Sequence, residues 1–311
     1  MRLLAILPGL GLLAAALAGP AGAARPLDHR PFWTVLRGQV RDERVDYLGI
    51  RESRWAELGA YLDSLAQVDP LEYRGNTRLA LYVNLYNATV IHGVIERLRA
   101  GYAVSENQHA FFDEPLVRIA GGRISLNELE HRRVRVEFPD PRIHAALVCA
   151  AVSCPPLLPR AYDRADLDHV LTMNMRRFVL DTTRNHVDLA ARTLRLSSIF
   201  DWYAQDFQAA GGVRAYVDAI SPADVSGYAV EFLPYDWSLN IAPPQGEWIR
   251  ARADGVALLA APGGAVAGTA REGDLFRVIE RRPDGFRIAR PFGAGEAWIA
   301  SGDAAPWQPP L

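Results

Sequence analysis

Both cysteines of this 311-residue chain lie in one short apolar stretch. Cys149 and Cys154 are separated by four residues, His144 lies five residues before the first, and two prolines follow the second. A thiolate activated by an imidazole base is a nucleophile for acyl transfer. In an oxidising compartment the same two thiols can instead close a small disulfide. The residue types are compatible with either thiol catalysis or a disulfide, and in both cases the chemistry would occur in this stretch.

A thiol nucleophile also needs a group that orients the imidazole base. His131 is a second candidate base, and Asn84, Asn87 and Glu130 are candidates to orient the ring or bind substrate. Each has a simpler interpretation. The two amides share one face of an apolar helix, so they could fasten a neighbouring loop. Glu130 and His131 could be an exposed pair that offsets the charge of the arginine-rich residues 132–135.

The apolar run from Ile143 to Ala151 predicts a buried strand. Because side chains alternate along a strand, His144 and Cys149 would then point to opposite faces, and only a bulge or an early strand end would pair them. His131, His144, Cys149 and Cys154 are four suitable zinc donors, but their spacing matches no known ribbon or finger. We therefore expect no metal and no cofactor.

A long helix is predicted from Asn76 to Leu98, and it is apolar almost all round, as expected for a central buried helix. Hairpins are predicted over residues 117–124 and 187–196, and Ser125 with Glu128 forms a capping box that begins a helix. Trp237 is expected to fill the core, with a neighbouring polar residue capping a turn. These elements predict a mixed α+β domain around one central helix.

The two ends of the chain differ from this domain. Residues 1–23 read as a signal peptide, with a short apolar segment and a small-residue cleavage site; an uncleaved anchor is the alternative. After the domain at residues 30–242 comes a linker at 243–247. Residues 248–307 are short strands between glycine, proline and aspartate turns, which predicts a small all-β barrel.

Composition narrows the function classes. The net charge of −2 argues against a general nucleic-acid binder. No second apolar run of spanning length follows the signal segment, so no integral membrane span is expected after cleavage. The chain is predicted to be exported, to the periplasm or the extracellular space.

Several blocks occur in an order that resembles the family of domain of unknown function 547. The resemblance covers roughly Phe32 to Asn240 and rests on LYVNLYNATVIHGV, SLNELEH, DPRIHAALVCAAVSCPPLLPRAY, LSSIFDWYAQDF and LPYDWSLN. It implies a domain boundary and an architecture but no reaction.

Residues 261–300 are similar to bacterial SH3-like domains. That similarity rests on the turn at 261–263, the Glu-Gly-Asp at 272–274 and the Ala-Trp-Ile at 297–299. It implies peptidoglycan or a peptide as partner, since such domains often accompany cell-envelope enzymes.

Two functions remain open from the sequence. The first is an exported thiol-type hydrolase or acyl-transfer enzyme acting on peptide or cell wall. Cys149 or Cys154 would be its nucleophile and His144 or His131 its base. The second is a non-catalytic envelope protein that binds a peptide or small ligand and whose two cysteines form a disulfide. The two functions predict different thiol states.

Overall fold

A computed structural model describes residues 25–310, and the predicted signal segment, residues 1–23, lies outside them. The fold is a mixture of helices and sheets, as predicted. The helices are α1 (Arg30–Leu36), α2 (Tyr47–Ser53), α3 (Trp55–Ala66), α4 (Gly75–Arg97), α5 (Glu106–Asp113), α6 (Leu126–Glu128), α7 (Arg135–Glu137), α8 (Leu167–Leu180), α9 (Ile199–Trp202) and α10 (Val213–Asp218). The strands of the first domain are β1 (Val40–Arg41), β2 (Arg44–Val45), β3 (Val117–Ile119), β4 (Gly122–Ile124), β5 (His186–Asp188), β6 (Thr193–Ser197) and β7 (Ala229–Leu233). Those of the C-terminal part are β8 (Trp248–Ala251), β9 (Val256–Leu259), β10 (Val266–Ala270), β11 (Leu275–Arg282), β12 (Gly285–Ala289), β13 (Glu296–Ala300) and β14 (Ala304–Pro306).

The predicted central helix is confirmed as α4, whose 23 residues are buried along most of their length. α2, α3 and α8 pack against it. Gly93 lets α5 approach closely, because a Cβ atom there would lie 2.8 Å from the ring of Phe111. Because α4 is surrounded by these helices, it has apolar residues on all its faces.

Both predicted hairpins are confirmed. β3 pairs antiparallel with β4, and β5 pairs antiparallel with β6. β7 joins β6 in parallel and completes a three-stranded sheet. The side chain of Ser125 accepts a hydrogen bond from the backbone N–H of Glu128, so the predicted N-cap of α6 is also present.

The strand predicted from Ile143 to Ala151 is wrong. Residues Pro141–Ala145 form a 3₁₀ helix, and an irregular turn follows. Asn87 and Asn174 donate side-chain hydrogen bonds to the backbone carbonyls of Ala146 and Ala145. Side-chain amides therefore satisfy the buried carbonyls of Ala145 and Ala146, and only the end of the segment, at Ala150 and Ala151, pairs with extended backbone at residues 239–240. The expected separation of His144 and Cys149 on opposite strand faces therefore does not apply.

The C-terminal part forms a seven-stranded antiparallel sheet in the order β10-β9-β13-β12-β11-β8-β14. The all-β prediction is confirmed, but β10 and β14 do not pair with each other, so the sheet is not a closed barrel. It packs against the first domain: the backbone N–H of Ala100 donates to the carbonyl of Gly273 at 2.8 Å.

Within residues 25–310, no helix combines the length and the apolar character needed to cross a membrane.

Candidate functional site

A cavity of about 330 Å³ opens between the N-terminal and C-terminal halves of the first domain. Its wall comes from α4, the segment around α6, the turn after the 3₁₀ helix, α9 and the chain that follows β7. The lining residues are Tyr86, His109, Phe112, Asn127, Glu130, His144, Leu147, Cys149, Cys154, Ile199, Trp202, Tyr203, Tyr235 and Trp237. Both cysteines and two of the other predicted site residues, His144 and Glu130, therefore meet in one place.

Cys149 is partly exposed and surrounded by hydrogen-bond donors. Its Sγ lies 3.2 Å from the hydroxyl of Tyr235. Burial raises the pKa of the Cys149 thiol, but hydrogen bonds from Cys154, Tyr235 and the backbone of Ala151 lower it more, and the net pKa lies below the ordinary value. Burial and the nearby Cys149 raise the pKa of Tyr235, so its hydroxyl stays protonated and donates to the sulfur. Cys149 is thus the more acidic thiol.

Cys154 behaves in the opposite way. It is buried, and burial together with the neighbouring Cys149 raises the pKa of its thiol well above the ordinary value. The backbone N–H of Cys149 donates to Cys154 Sγ at 2.9 Å. Both cysteines are free thiols in this structure, and their sulfur atoms are not at disulfide-bonding distance. The disulfide alternative is therefore not confirmed and stays a prediction.

The turn that carries Cys149 is strained. Ala150 is fully buried and has φ of 67°, a left-handed conformation that residues other than glycine rarely adopt. This conformation turns the chain sharply after Cys149 and brings the N–H of Ala151 back to the sulfur. Backbone strain of this kind is retained where the surrounding structure enforces it, commonly at functional sites.

His144 is held by a carboxylate that sequence reasoning does not identify. Its Nε2 lies 2.7 Å from Oδ2 of Asp206, and Arg135 binds both oxygens of that carboxylate, each at 2.7 Å. Burial raises the pKa of Asp206, but hydrogen bonds from His144 and Arg135 lower it more, and the net pKa lies well below its usual range. Because Asp206 is ionised and only accepts, Nε2 of His144 carries the proton.

The two ring nitrogens of His144 differ in their surroundings. Across residues 25–310, Nδ1 makes no hydrogen bond, and the imidazole forms part of the cavity wall. The ring stacks on Tyr203, with centroids 3.9 Å apart. No hydrogen bond joins His144 to either thiol among these residues. The structure therefore brings His144 and Cys149 to one cavity without direct pairing, an arrangement common in ligand-free catalytic sites.

Glu130 is not the exposed charge that the simpler interpretation expects. It is only 6% exposed, lies in a π-helical segment (Leu129–Val134) between α6 and α7, and accepts a hydrogen bond from the hydroxyl of Tyr203 at 2.7 Å. π-Helical turns occur frequently at functional sites. His131, the next residue, is exposed outside the cavity, where its Nδ1 lies 3.1 Å from Arg135. The structure thus separates the two neighbours.

Asn84 and Asn87 are placed away from the cavity wall, and each binds backbone with both its donor and its acceptor. Asn84 pairs with the N–H and carbonyl of Tyr162 at 2.9 and 2.8 Å. Asn87 donates to the carbonyl of Ala146 and accepts from the N–H of Val148, both at 2.9 Å. The segment fastened by Asn87 lies between His144 and Cys149, so this amide sets their relative position.

Three aromatic rings, here called the aromatic rim, line the cavity beside Cys149. Trp202, Tyr235 and Trp237 have ring centroids 4.6–5.7 Å apart, and Trp202 is 49% exposed. Trp237 therefore lines the cavity as well as packing on the core. His109, to which the sequence assigns no role, contacts Trp237 with centroids 4.3 Å apart, and its Nε2 is buried without a partner.

Asp206, Tyr203 and Tyr235 are site residues that sequence reasoning misses. They lie more than 50 residues beyond Cys149, inside two of the blocks that carry the family resemblance. That resemblance is the signal that could have pointed to them. In the described part of the chain, no group of three or more His, Cys, Asp or Glu residues could hold a metal ion.

Comparison with known families supports part of the resemblance. A model described as "Protein of unknown function, DUF547" matches residues 70–179. The matched range includes both cysteines, His144 and Glu130 but ends before Asp206 and the aromatic rim. Comparison with curated proteins gives no match, and comparison with solved structures also gives none. Over residues 70–179 the chain is therefore similar to a family whose reaction is unknown.

Proposed function

We propose that this chain is a cysteine-dependent hydrolase or acyl transferase with Cys149 as its nucleophile. The observation that carries the proposal is the shared cavity. It contains a partly exposed cysteine of lowered pKa and a histidine held by an ionised carboxylate. A thiolate, an imidazole base and a group that orients the base are the parts that thiol acyl transfer needs. His144 would be the base, and Asp206 would position it.

The reaction follows from these roles. Nδ1 of His144 first takes the proton of the Cys149 thiol, which gives a thiolate and an imidazolium. The Cys149 thiolate then attacks the carbonyl carbon of an acyl group, and the bond from that carbon to the leaving group breaks. His144 delivers a proton from Nδ1 to the departing group, which leaves a thioester on Cys149. Water or an acceptor nucleophile then gives its proton to Nδ1 of His144 and attacks the thioester, which releases the acyl product and the thiolate. Cys154 and Tyr235 stabilise the thiolate between turnovers.

Thiol labelling with iodoacetamide tests the nucleophile. We expect one alkylation in the native, unreduced protein, at a rate whose pH midpoint lies below that of an ordinary thiol, about 8.5. Cys149→Ser should abolish this labelling, whereas Cys154→Ser should keep it and move its midpoint to higher pH. Tyr235→Phe should also raise the midpoint because it removes a donor to the sulfur. The control is Tyr228→Phe, which removes a hydroxyl that makes no hydrogen bond to the other residues of the range 25–310.

Turnover of activated esters tests the reaction. His144→Ala should slow acyl transfer to an activated ester by about 10²-fold or more. If both sulfurs label only after reduction, the pair is a disulfide and the chain is a ligand-binding protein of the second kind. If Cys149 is free but no faster than a model thiol, the catalytic proposal fails.

Export to the periplasm or extracellular space is also proposed, and it is supported by the residue pattern at 1–23.

The C-terminal sheet is proposed to be an SH3-like domain that holds the protein on peptidoglycan or peptide. The similarity of residues 261–300 to such domains supports this proposal. A pull-down of the full mature chain on isolated cell wall tests this, with retention as the expected outcome.

A further inference from the structure

The charge inside the cavity is unbalanced on one side. Glu130 is more than nine-tenths buried and uses one oxygen, Oε1, to accept from Tyr203. In the part of the chain that the structure describes, its second oxygen has no hydrogen bond, and no arginine or histidine pairs with the carboxylate. A buried carboxylate without a cationic partner is costly unless something of opposite charge binds it.

The guanidinium of Arg135 interacts electrostatically with Glu130 but is already engaged. Arg135 stands over the ring of Tyr203 at 5.0 Å, but its guanidinium binds Asp206 through two hydrogen bonds. No arginine is among the described residues that line the cavity. Of its two histidines, His144 is paired with Asp206, and the buried Nε2 of His109 has no partner. The cavity therefore has a free acceptor on Glu130 and an unpaired polar atom on His109.

The aromatic residues of the cavity are suited to the same kind of ligand. The rings of the aromatic rim pack on one another with centroids 4.6–5.7 Å apart, and they line the cavity together with Phe112 and Tyr86. Aromatic faces carry partial negative charge and attract an alkylammonium group that has been stripped of water. A carboxylate combined with ring faces favours a cation over a neutral apolar group of the same size.

We propose that Glu130 and the aromatic rim bind an ammonium group, and that the substrate is an acyl compound carrying one. Glu130 supplies the counter-charge, and Trp202, Tyr235 and Trp237 supply the ring faces. Cys149 lines the same cavity, so the ammonium group and the reacting carbonyl belong to one small molecule or chain end. The assignment of the substrate rests on the proposed function. Binding of an ammonium group can be measured without any reaction.

The test uses the full mature chain with Cys149→Ser, so that no thiol chemistry contributes. Calorimetric titration compares choline with 3,3-dimethylbutan-1-ol, which has the same shape without the charge. We expect choline to bind about tenfold more tightly than the alcohol. Adding Glu130→Gln should reduce the ratio to about threefold or less, whereas Glu128→Gln, the same change two residues earlier at the end of α6, should keep it.

A second variant covers the case in which Glu130→Gln does not fold. Trp202→Ala removes an exposed ring and should weaken choline binding about threefold or more. Equal affinity for the two probes, no choline binding at millimolar concentration, or an unchanged ratio in Glu130→Gln would overturn the inference. Selective choline binding in a protein whose Cys149 is unreactive would support the ammonium site while refuting the thiol enzyme.

Discussion

Hydrogen bonds and burial change the pKa values of the two cysteine thiols in the cavity. Two thiols five positions apart in sequence have pKa values displaced in opposite directions, because Cys149 receives donors and Cys154 is enclosed. The buried Cys154 also accepts from the backbone N–H of Cys149. Two residues of the same type that line one cavity therefore differ in acidity.

Asp206→Asn gives the clearest stability prediction at this scale. The variant loses the charge that holds His144 and Arg135, and we expect a cost of about 1–3 kcal/mol at neutral pH. The folded pKa of Asp206 is lowered, so its contribution is complete above the unfolded value near 4 and is lost as the pH falls through the folded value. The destabilisation measured by urea unfolding should therefore shrink between pH 5 and pH 3.

Asp201→Asn is the matched control for this measurement. Asp201 is exposed, lies five residues earlier, and forms no ion pair among residues 25–310. Its change should alter stability by about 0.5 kcal/mol or less. A destabilisation by Asp206→Asn that is the same at pH 3 and pH 5 would show that the aspartate acts through shape rather than charge.

At the scale of elements, Asn84 and Asn87 provide a matched pair of variants. Each side chain makes two hydrogen bonds to buried backbone, so each change to alanine should cost about 2–4 kcal/mol. Of these two asparagines, only Asn87 binds the segment between His144 and Cys149. We expect Asn87→Ala to change the pH midpoint of Cys149 alkylation, and Asn84→Ala to leave it as in the native protein. Equal effects on alkylation would mean that Asn87 does not position the site.

The sequence predicts the regular elements well and the turn at Cys149 badly, for a physical reason. The central helix and both hairpins follow from local periodicity and turn residues. The run 143–151 has the composition of a strand, yet side chains distant in sequence, Asn87 and Asn174, take its backbone hydrogen bonds. Such long-range contacts leave no local pattern, and Asp206 and Tyr235 reach the site in the same way.

The charge of Glu130 illustrates a related difficulty. Next to an arginine-rich run it resembles a surface residue, but the π-helical segment changes the register and turns it inward while His131 remains outside. A one-residue change in helical register exchanges which neighbour is buried. The sequence therefore identifies the segment that contains the site residue but not which residue faces the cavity.

The C-terminal sheet contacts the first domain through a buried arginine, among other residues. Arg51, on α2, is 3% exposed and donates to the carbonyl of Leu275 at 2.8 Å. Its guanidinium lies 5.6 Å from the ring centroid of Trp248 and 3.8 Å from Glu52. Burial lowers its pKa to about 10, so it is still charged at neutral pH. These contacts join residues on both sides of the predicted linker at 243–247.

Arg51→Met tests whether this residue couples the two parts. Methionine fills much of the same space but cannot donate, so the Leu275 carbonyl is left unpaired and we expect a loss of about 1–3 kcal/mol. The loss should be local: hydrogen exchange at the Ala100 amide, which donates to Gly273, should accelerate in the variant. The control is Arg54→Met, because Arg54 follows the end of α2 and its side chain is more exposed. This variant should change stability by about 0.5 kcal/mol or less and leave the Ala100 amide protected. If the two variants behave alike, the sheet is held by its apolar contacts through Trp248 and Leu275, and Arg51 only fills the space between the two parts.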